Sequence, residues 1–223
     1  AGSGTSGHAT ILQNALDGGK RKYILVQLPE HLDSSNIEQM PAVEFCDAIN
    51  KPRYLTEITK ERLRRAGRKI LTEFPDFSGD SGFRVFKLDT SNIMAWDPSI
   101  SDLEGTIDEF TDHVKPDRSE QDILFELVLK LGLGLSVEIE SRDIATKQVY
   151  NIGYGVLLAC LATNITNKEI EPLTYGMIEW IEEQNPEAET MIVFRDSAFA
   201  DDVAKTNITA IFNQHGFTNI RSL

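Results

Sequence analysis

Residues 1–9 constrain the fold of this chain more strongly than any other stretch of its sequence. They place glycines at Gly2, Gly4 and Gly7, and an amphipathic run that extends to Leu16 follows them. Glycine has no Cβ, so it lets the backbone turn tightly and approach a ligand. A helix that starts there directs free N–H groups and a partial positive charge toward the loop. We therefore predict a ligand-binding glycine loop that opens a helix, with the hydroxyl of residue 5 or 6 as its cap.

The glycine loop begins an alternation of helices and strands. After a turn at residues 17–19, residues 23–28 (YILVQL) have the apolar, β-rich composition of a strand. A short helix near residues 43–49, a longer helix over residues 60–73 and a second strand over residues 83–89 follow. This order favours an α/β fold with a parallel sheet.

The ends of the two predicted strands supply further candidate ligands. Ligands of such sheets bind at the carboxyl ends of the strands. That rule places Gln27 and Glu30 beside the glycine loop, together with Asp89 and Asn92 from the second strand. Gln27 is alternatively an ordinary polar residue at a strand end, and a turn or cap is the favoured alternative for Asp89 and Asn92.

The predicted helix over residues 60–73 has a strongly basic exposed face. One explanation is contact with DNA phosphates, and the other is a solvated face that balances an acidic protein; we favour the second. The cations of this face are Lys60, Arg62, Arg64, Arg65, Arg68 and Lys69.

Residues 119–223 predict a second unit. Helices are expected at about residues 119–131, 167–184 and 201–215, and strands at 136–140, 148–152, 155–160, 190–194 and 218–221. At the junction that follows Phe194 and Arg195, we expect Asp196 and Ser197 to cap the last helix, while Asp201 and Asp202 suit its N-terminus. No chemistry is assigned to that junction.

The charge of the chain limits the partners that its second half can bind. The net charge is −13, and residues 119–223 hold 7 basic and 16 acidic side chains, so this half is not expected to lie along a phosphate backbone.

Cys46 and Cys160 are far apart in the sequence, and this separation favours free thiols in a reducing, cytoplasmic compartment. The four histidines have no metal-ligand spacing, so we predict no metal. No apolar run approaches the roughly 18 residues of a membrane helix.

Several segments, in order along the whole chain, resemble one protein family. The AGSGT loop, followed by another hydroxyl residue, resembles the S-adenosylmethionine loop of the amino-methyltransferases that modify DNA. The later segments are residues 23–30 (YILVQLPE), 58–65 (ITKERLRR), 86–92 (FKLDTSN) and 193–199 (VFRDSAF). Together they resemble the C-terminal part of the modification subunit of type III restriction–modification systems. The modification subunits of this family are adenine-N6 DNA methyltransferases.

The resemblance implies a fold and a set of cofactor-binding residues. It implies a partial Rossmann-like, S-adenosylmethionine-dependent methyltransferase sheet over residues 1–98, a connection over 99–118, and a smaller α+β or α/β assembly domain over 119–223. The loop would face the methionine moiety of the cofactor, and Gln27 stands where many relatives carry an acid that holds the ribose hydroxyls, with Glu30 in reserve. The loop residues are Ala1, Gly2, Ser3, Gly4 and Thr5.

The resemblance also implies what this chain lacks. The family's Asp-Pro-Pro-Tyr catalytic motif precedes the cofactor loop, and this sequence has no such motif. The segment Asp97-Pro98-Ser99 lacks both the second proline and the aromatic ring on which a flipped adenine would stack. We therefore expect no catalytic residue in this chain and no methyl transfer by it alone. The implied partners of the parent protein are DNA, the restriction helicase-nuclease subunit and a second modification subunit in a homodimer.

Two other functions remain open from the sequence. A nicotinamide- or flavin-binding Rossmann domain would use Gly2, Gly4 and Gly7 for a pyrophosphate and Glu30 for a ribose. A non-catalytic assembly module would carry the loop as a vestige. Binding of S-adenosylmethionine in preference to dinucleotides would distinguish the methyltransferase from both.

Overall fold

A computed structural model describes residues 2–94 and 114–223 of the chain. It divides the chain into two compact units, Ala1–Leu88 and Asp89–Leu223. The described residues form six α-helices: α1 Thr5–Asp17, α2 Met40–Ala48, α3 Leu55–Glu73, α4 Glu120–Lys130, α5 Ile170–Gln184 and α6 Asp202–Gln214. They also form five strands: β1 Ile139–Ile144, β2 Lys147–Ile152, β3 Leu157–Cys160, β4 Met191–Phe194 and β5 Ile220–Ser222.

The first unit is built on three helices. Helices α1 and α3 pack together around Ile11, Leu63 and Ile70, each of which is almost fully buried. Helix α2 packs on α3 through Val43 and Cys46. The predicted helix after the glycine loop and the short helix near residues 43–49 are confirmed, whereas α3 begins five residues before its predicted start.

The two strands predicted in this unit are wrong. Residues 23–28 and 83–89 are all described, and they are assigned to neither helix nor strand. The side chains of residues 23–28 nevertheless alternate: Tyr23 and Leu25 pack against the core of α1 and α3, while Ile24 is 70% exposed. In residues 83–89, Phe83 packs against the same core, but Val85 is exposed. The strand-like composition of these segments did not place a neighbouring strand beside either of them.

The second unit is a mixed sheet in the order β1-β2-β3-β4-β5. Strands β1, β2 and β3 are antiparallel neighbours, and β3, β4 and β5 are parallel. Ala145 and Thr146 connect β1 to β2 with positive φ at both positions, as a tight hairpin turn requires. Helices α5 and α6 are the crossover connections of the parallel strands.

Both faces of the central strands of this sheet are buried. In β3, Leu158 and Cys160 face the cluster formed with α5 and α6, while Leu157 and Ala159 face the cluster formed with α4. Val193 of β4 joins the α4 side in the same alternation. This arrangement explains why the central strands read as continuous apolar runs.

The sequence predicted most of the second unit. Helices α4, α5 and α6 and strands β2 to β5 agree with the predicted elements, whereas β1 begins at Ile139, three residues after its predicted start. The structure therefore confirms a mixed α/β fold, and it does not confirm a Rossmann-like sheet in the first unit. Within residues 2–94 and 114–223, no helix is long and apolar enough to cross a membrane.

The cap predicted for the last helix is wrong. Asp196–Ala198 form a separate short 3₁₀ turn, and α6 is capped instead by Asp201, whose Oδ1 accepts a hydrogen bond of 2.7 Å from the Ala204 N–H. At α4, Ser119 and Asp122 form a reciprocal capping box, which confirms the predicted helix start.

Candidate functional site

The glycine loop adopts a backbone conformation that residues with a Cβ rarely adopt. Gly2 and Gly4 have φ values of 55° and 80°, and Gly4 is the N-cap of α1. Thr5 is already the first helical residue, and no side chain of the described structure hydrogen-bonds as the cap of this helix. The predicted cap by residue 5 or 6 is therefore wrong, because the left-handed glycine itself begins the helix.

Two side chains hold the peptide groups of Gly2. The Gly2 N–H donates to Oε1 of Gln27 at 2.6 Å, and the Gly2 carbonyl accepts a hydrogen bond from Oγ1 of Thr59 at 2.5 Å. The structure thus brings Gln27 to the loop, and Thr59 reaches it from α3. Hydrogen bonds therefore fix the peptide groups on both sides of Gly2.

The loop and α1 also lie very close to α3. A Cβ on Gly4 would stand 3.0 Å from Cγ2 of Thr59, and a Cβ on Gly7 would stand 2.8 Å from Cδ2 of Leu63. Real Cβ atoms do not make contacts as short as the second. Glycine at these two positions therefore allows α1 to pack against α3 at this distance.

The start of α1 is suited to an anionic group. Its first turn, which lies wholly within the described residues, contains no acidic residue. Helices leave their first N–H groups without intrahelical acceptors, and these groups carry a partial positive charge. The exposed hydroxyls of Ser3 and Thr5 lie 3.3 Å apart beside them and can donate further hydrogen bonds. Such a site can hold a carboxylate or a phosphate.

The other loop candidates are placed as follows. Ala1 lies outside the described residues. Glu30 is exposed, and its carbonyl accepts a hydrogen bond of 3.1 Å from the Leu55 N–H at the start of α3. The segment that contains Glu30 is thus fixed to α3, the helix that also contacts the glycine loop.

Asp89 and Asn92 have structural partners within the second unit. The backbone N–H of Thr90 and the guanidinium of Arg118, which is 2.9 Å away, lower the pKa of Asp89. The Asn92 N–H donates to the carboxylate of Glu126 at 2.7 Å. Burial acts to raise the pKa of Glu126, but this bond, together with contacts from a serine and a lysine, lowers it to about 2. These contacts support a structural role for both residues, and their contact with a ligand stays a prediction.

The basic face of α3 is partly neutralised by its own carboxylates. Glu61 accepts a hydrogen bond of 2.8 Å from Arg65, which lowers the pKa of the carboxyl group, and it lies 3.5 Å from Arg68 and 3.8 Å from Arg64. Lys60 pairs with Glu57 one turn away. These ion pairs support the solvated, balanced face; contact of this face with DNA stays a prediction.

Sequence reasoning did not recognise Thr59 as a loop contact. Thr59 comes just before the helix predicted over residues 60–73, whereas in the structure it lies in the first half of α3 and is 8% exposed. One signal was available: a polar residue that lies four positions before Leu63 falls on the buried face of an amphipathic helix. A buried hydroxyl on such a face needs a hydrogen-bond acceptor.

The junction after β4 connects strand and helix. Arg195 is largely buried, and its Nε donates to Oγ of Ser197 at 3.2 Å. Asp196 forms an ion pair with Lys205 of α6. These contacts give the segment a structural role in joining β4 to α6.

Comparison with known proteins gives a partial match. No protein-family model matches the chain. Over 97 residues, which are 44% of this chain, the sequence is 32% identical to the Type III restriction-modification enzyme StyLTI Mod subunit of Salmonella typhimurium (strain LT2). The match spans 14% of that protein's length. It supports a loose relationship of this chain to type III Mod subunits.

Proposed function

We propose that this chain is part of an S-adenosylmethionine-dependent adenine-N6 DNA methyltransferase of a type III restriction–modification system. In this proposal, the glycine loop and the start of α1 hold the methionine end of the cofactor. The observation that carries the proposal is the fixed left-handed loop in front of an uncapped helix. The match to a Mod subunit supports the choice of family.

The loop chemistry suits the methionine moiety. The carboxylate of the methionine moiety is an anion, and it can accept hydrogen bonds from the first N–H groups of α1. The hydroxyls of Ser3 and Thr5 add donors at the rim. Gln27 would approach the ribose, because a glutamine amide can both donate and accept hydrogen bonds without charge. Ala1 and Glu30 are further candidates for the same pocket.

This chain would supply the cofactor-binding loop of the active site and not the catalytic motif. An enzyme that methylates a base takes the base out of the DNA stack and holds it against aromatic and polar groups. In the proposal, the Asp-Pro-Pro-Tyr motif and the DNA reader belong to another part of the parent protein. The exposed Ile24 and Leu28, at 70% and 71%, and Leu88 would pack against that part.

The second unit would serve assembly. Its acidic composition disfavours a DNA backbone as partner and leaves a protein partner as the better fit. We place the restriction subunit or a second modification subunit there, in a cytoplasmic complex. The contacts around Arg195 would then stabilise the unit itself and would take no part in chemistry.

Calorimetric titration tests the proposal. We expect saturable binding of S-adenosylmethionine and its demethylated product, and none of NAD. Gly4→Val should abolish binding, because Gly4 has φ +80° and lies against Thr59. Gly18→Val is the matched control: Gly18 follows the other end of α1, has φ +68°, and has no neighbour within 4 Å among the described residues. Binding of NAD alone, or undiminished binding by Gly4→Val, would contradict the proposal.

A further inference from the structure

We propose that Thr59 is a positioning residue that sets the conformation of the glycine loop for its ligand. The inference rests on the proposed function for the identity of that ligand, S-adenosylmethionine. It rests on geometry alone for the effect on the loop. Thr59 is remote in sequence, 57 residues after Gly2, and it comes from a different helix than the one that the loop opens.

The hydroxyl of Thr59 is directed to the loop. A threonine inside a helix ordinarily donates to the carbonyl four residues before it. Here Oγ1 lies 3.3 Å from the Leu55 carbonyl but 2.5 Å from the Gly2 carbonyl. A hydroxyl has one hydrogen, and the shorter contact takes it. Thr59 therefore donates to the loop in preference to its own helix.

The methyl group of Thr59 supports the next part of the loop. Cγ2 lies 3.0 Å from the point where a Cβ of Gly4 would stand. One side chain thus faces two loop residues: its hydroxyl donates to the carbonyl of Gly2, and its methyl group occupies the space that a side chain at Gly4 would need. Valine would keep the methyl contact and lose the hydrogen bond, and serine would keep the hydrogen bond and lose the methyl contact.

The position of Thr59 explains how the loop is held before a ligand arrives. With Gln27 on the Gly2 N–H and Thr59 on the Gly2 carbonyl, the peptide groups on both sides of Gly2 have fixed directions. The N–H groups at the start of α1 follow directly after them. A loop that is already ordered loses less conformational freedom on binding, so its affinity is higher.

Three variants separate this role from general stability. Thr59→Val removes the hydroxyl at nearly constant volume, and Thr59→Ser restores it. Thr72→Val is the matched control, because Thr72 lies on the same helix, is exposed, and donates only a local bond of 3.0 Å to the Arg68 carbonyl. Circular dichroism establishes that each variant is folded.

The first measurement needs no ligand. Amide hydrogen exchange at Gly2, whose N–H donates to Gln27, and at His8, whose N–H donates to the Gly4 carbonyl, should be about tenfold faster in Thr59→Val than in the parent chain, which corresponds to one lost hydrogen bond. Exchange in Thr59→Ser should stay within about threefold of the parent, and in Thr72→Val it should be unchanged. Equal exchange in Thr59→Val and the parent chain would overturn the proposal.

The second measurement is calorimetric titration with the demethylated product of S-adenosylmethionine. Thr59→Val should bind about tenfold more weakly, with Thr59→Ser close to the parent chain and Thr72→Val equal to it. If the parent chain binds and Thr59→Val binds equally well, the positioning role fails while the proposed function stands. If the parent chain binds NAD instead, the proposed function fails, and the exchange measurement still decides the role of Thr59.

Discussion

The replacement of Gly4 by alanine should lower the free energy of unfolding of the first unit. The size of this loss follows from a comparison of Gly4 with Gly18, the glycines at the two ends of α1. Gly4 precedes α1 with φ 80°, and Gly18 follows it with φ 68°. Both positions are left-handed, but a Cβ at Gly4 meets Thr59 at 3.0 Å whereas a Cβ at Gly18 meets nothing within 4 Å in the described structure.

The expected magnitude follows from separate contributions. A left-handed backbone costs an L-residue roughly 1–2 kcal/mol at either position. Alanine returns about 0.5 kcal/mol in both cases, because it restricts the unfolded chain more than glycine does. At Gly4, the crowded contact with Thr59 adds about 1–2 kcal/mol of overpacking. Gly4→Ala should therefore lose about 1.5–3.5 kcal/mol and Gly18→Ala about 0.5–1.5 kcal/mol.

Unfolding in urea, followed by a probe in each unit, measures these losses. Cys46 is fully buried in the first unit, and its labelling in a Cys160→Ala background reports unfolding of that unit. Fluorescence of Trp180, in a Trp96→Phe background, reports the second unit, where Trp180 is 1% exposed. A loss of 2 kcal/mol lowers the midpoint by about 1 M urea.

The comparison of the two variants is the critical result. We expect the Cys46 midpoint to fall further in Gly4→Ala than in Gly18→Ala, with the Trp180 midpoint unchanged in both. If the two variants lose equal stability, then the contact between Gly4 and Thr59 has no energetic weight. The close approach of the loop to α3 would then not explain why position 4 is a glycine.

Three further predictions concern the rest of the fold. Asp201→Ala should destabilise the second unit by about 1 kcal/mol through loss of the α6 cap, measured by urea unfolding, with the neighbouring Asp202→Ala near neutral. The pKa of Glu126 is lowered from its ordinary value of 4.5 to about 2, so the stability that its ionised form contributes is present above pH 4.5 and is lost as the pH falls toward 2. Glu126→Gln should flatten that dependence in acid titrations followed by circular dichroism, and an unchanged slope would contradict the assignment. Cys46 and Cys160 are fully buried, and burial raises the pKa of both thiols, that of Cys160 to about 11, so neither should react with a thiol reagent before its unit unfolds.

Local signals in the sequence predicted the parts of the structure that depend on neighbouring residues. The helix that follows the glycines and the start of α4 at residue 119 are confirmed, because a helix start is determined by residues within one turn of it. The apolar strands of the second unit are confirmed because both faces of that sheet are covered, and continuous apolar runs are typical of that arrangement.

The parts that failed depend on distant residues. The apolar, β-rich composition of residues 23–28 predicted a strand, but composition contains no information on a neighbouring strand. Asp196 and Asp201 are equally good caps by composition, and the short 3₁₀ turn between β4 and α6 decides between them. The hydrogen bond from Thr59 to Gly2 joins residues far apart in sequence, so no local pattern could show its acceptor.

The most direct test of the account is to map where the cofactor product binds, by amide resonances of the isotope-labelled chain during titration with demethylated S-adenosylmethionine. We predict shifts at Gly2, Gly4 and Thr5 and at the side-chain amide of Gln27, and no shifts of the amides of β3 and β4 in the second unit. Shifts confined to the second unit, or shifts at the loop that only NAD produces, would contradict the claim that this loop is a methyltransferase cofactor site.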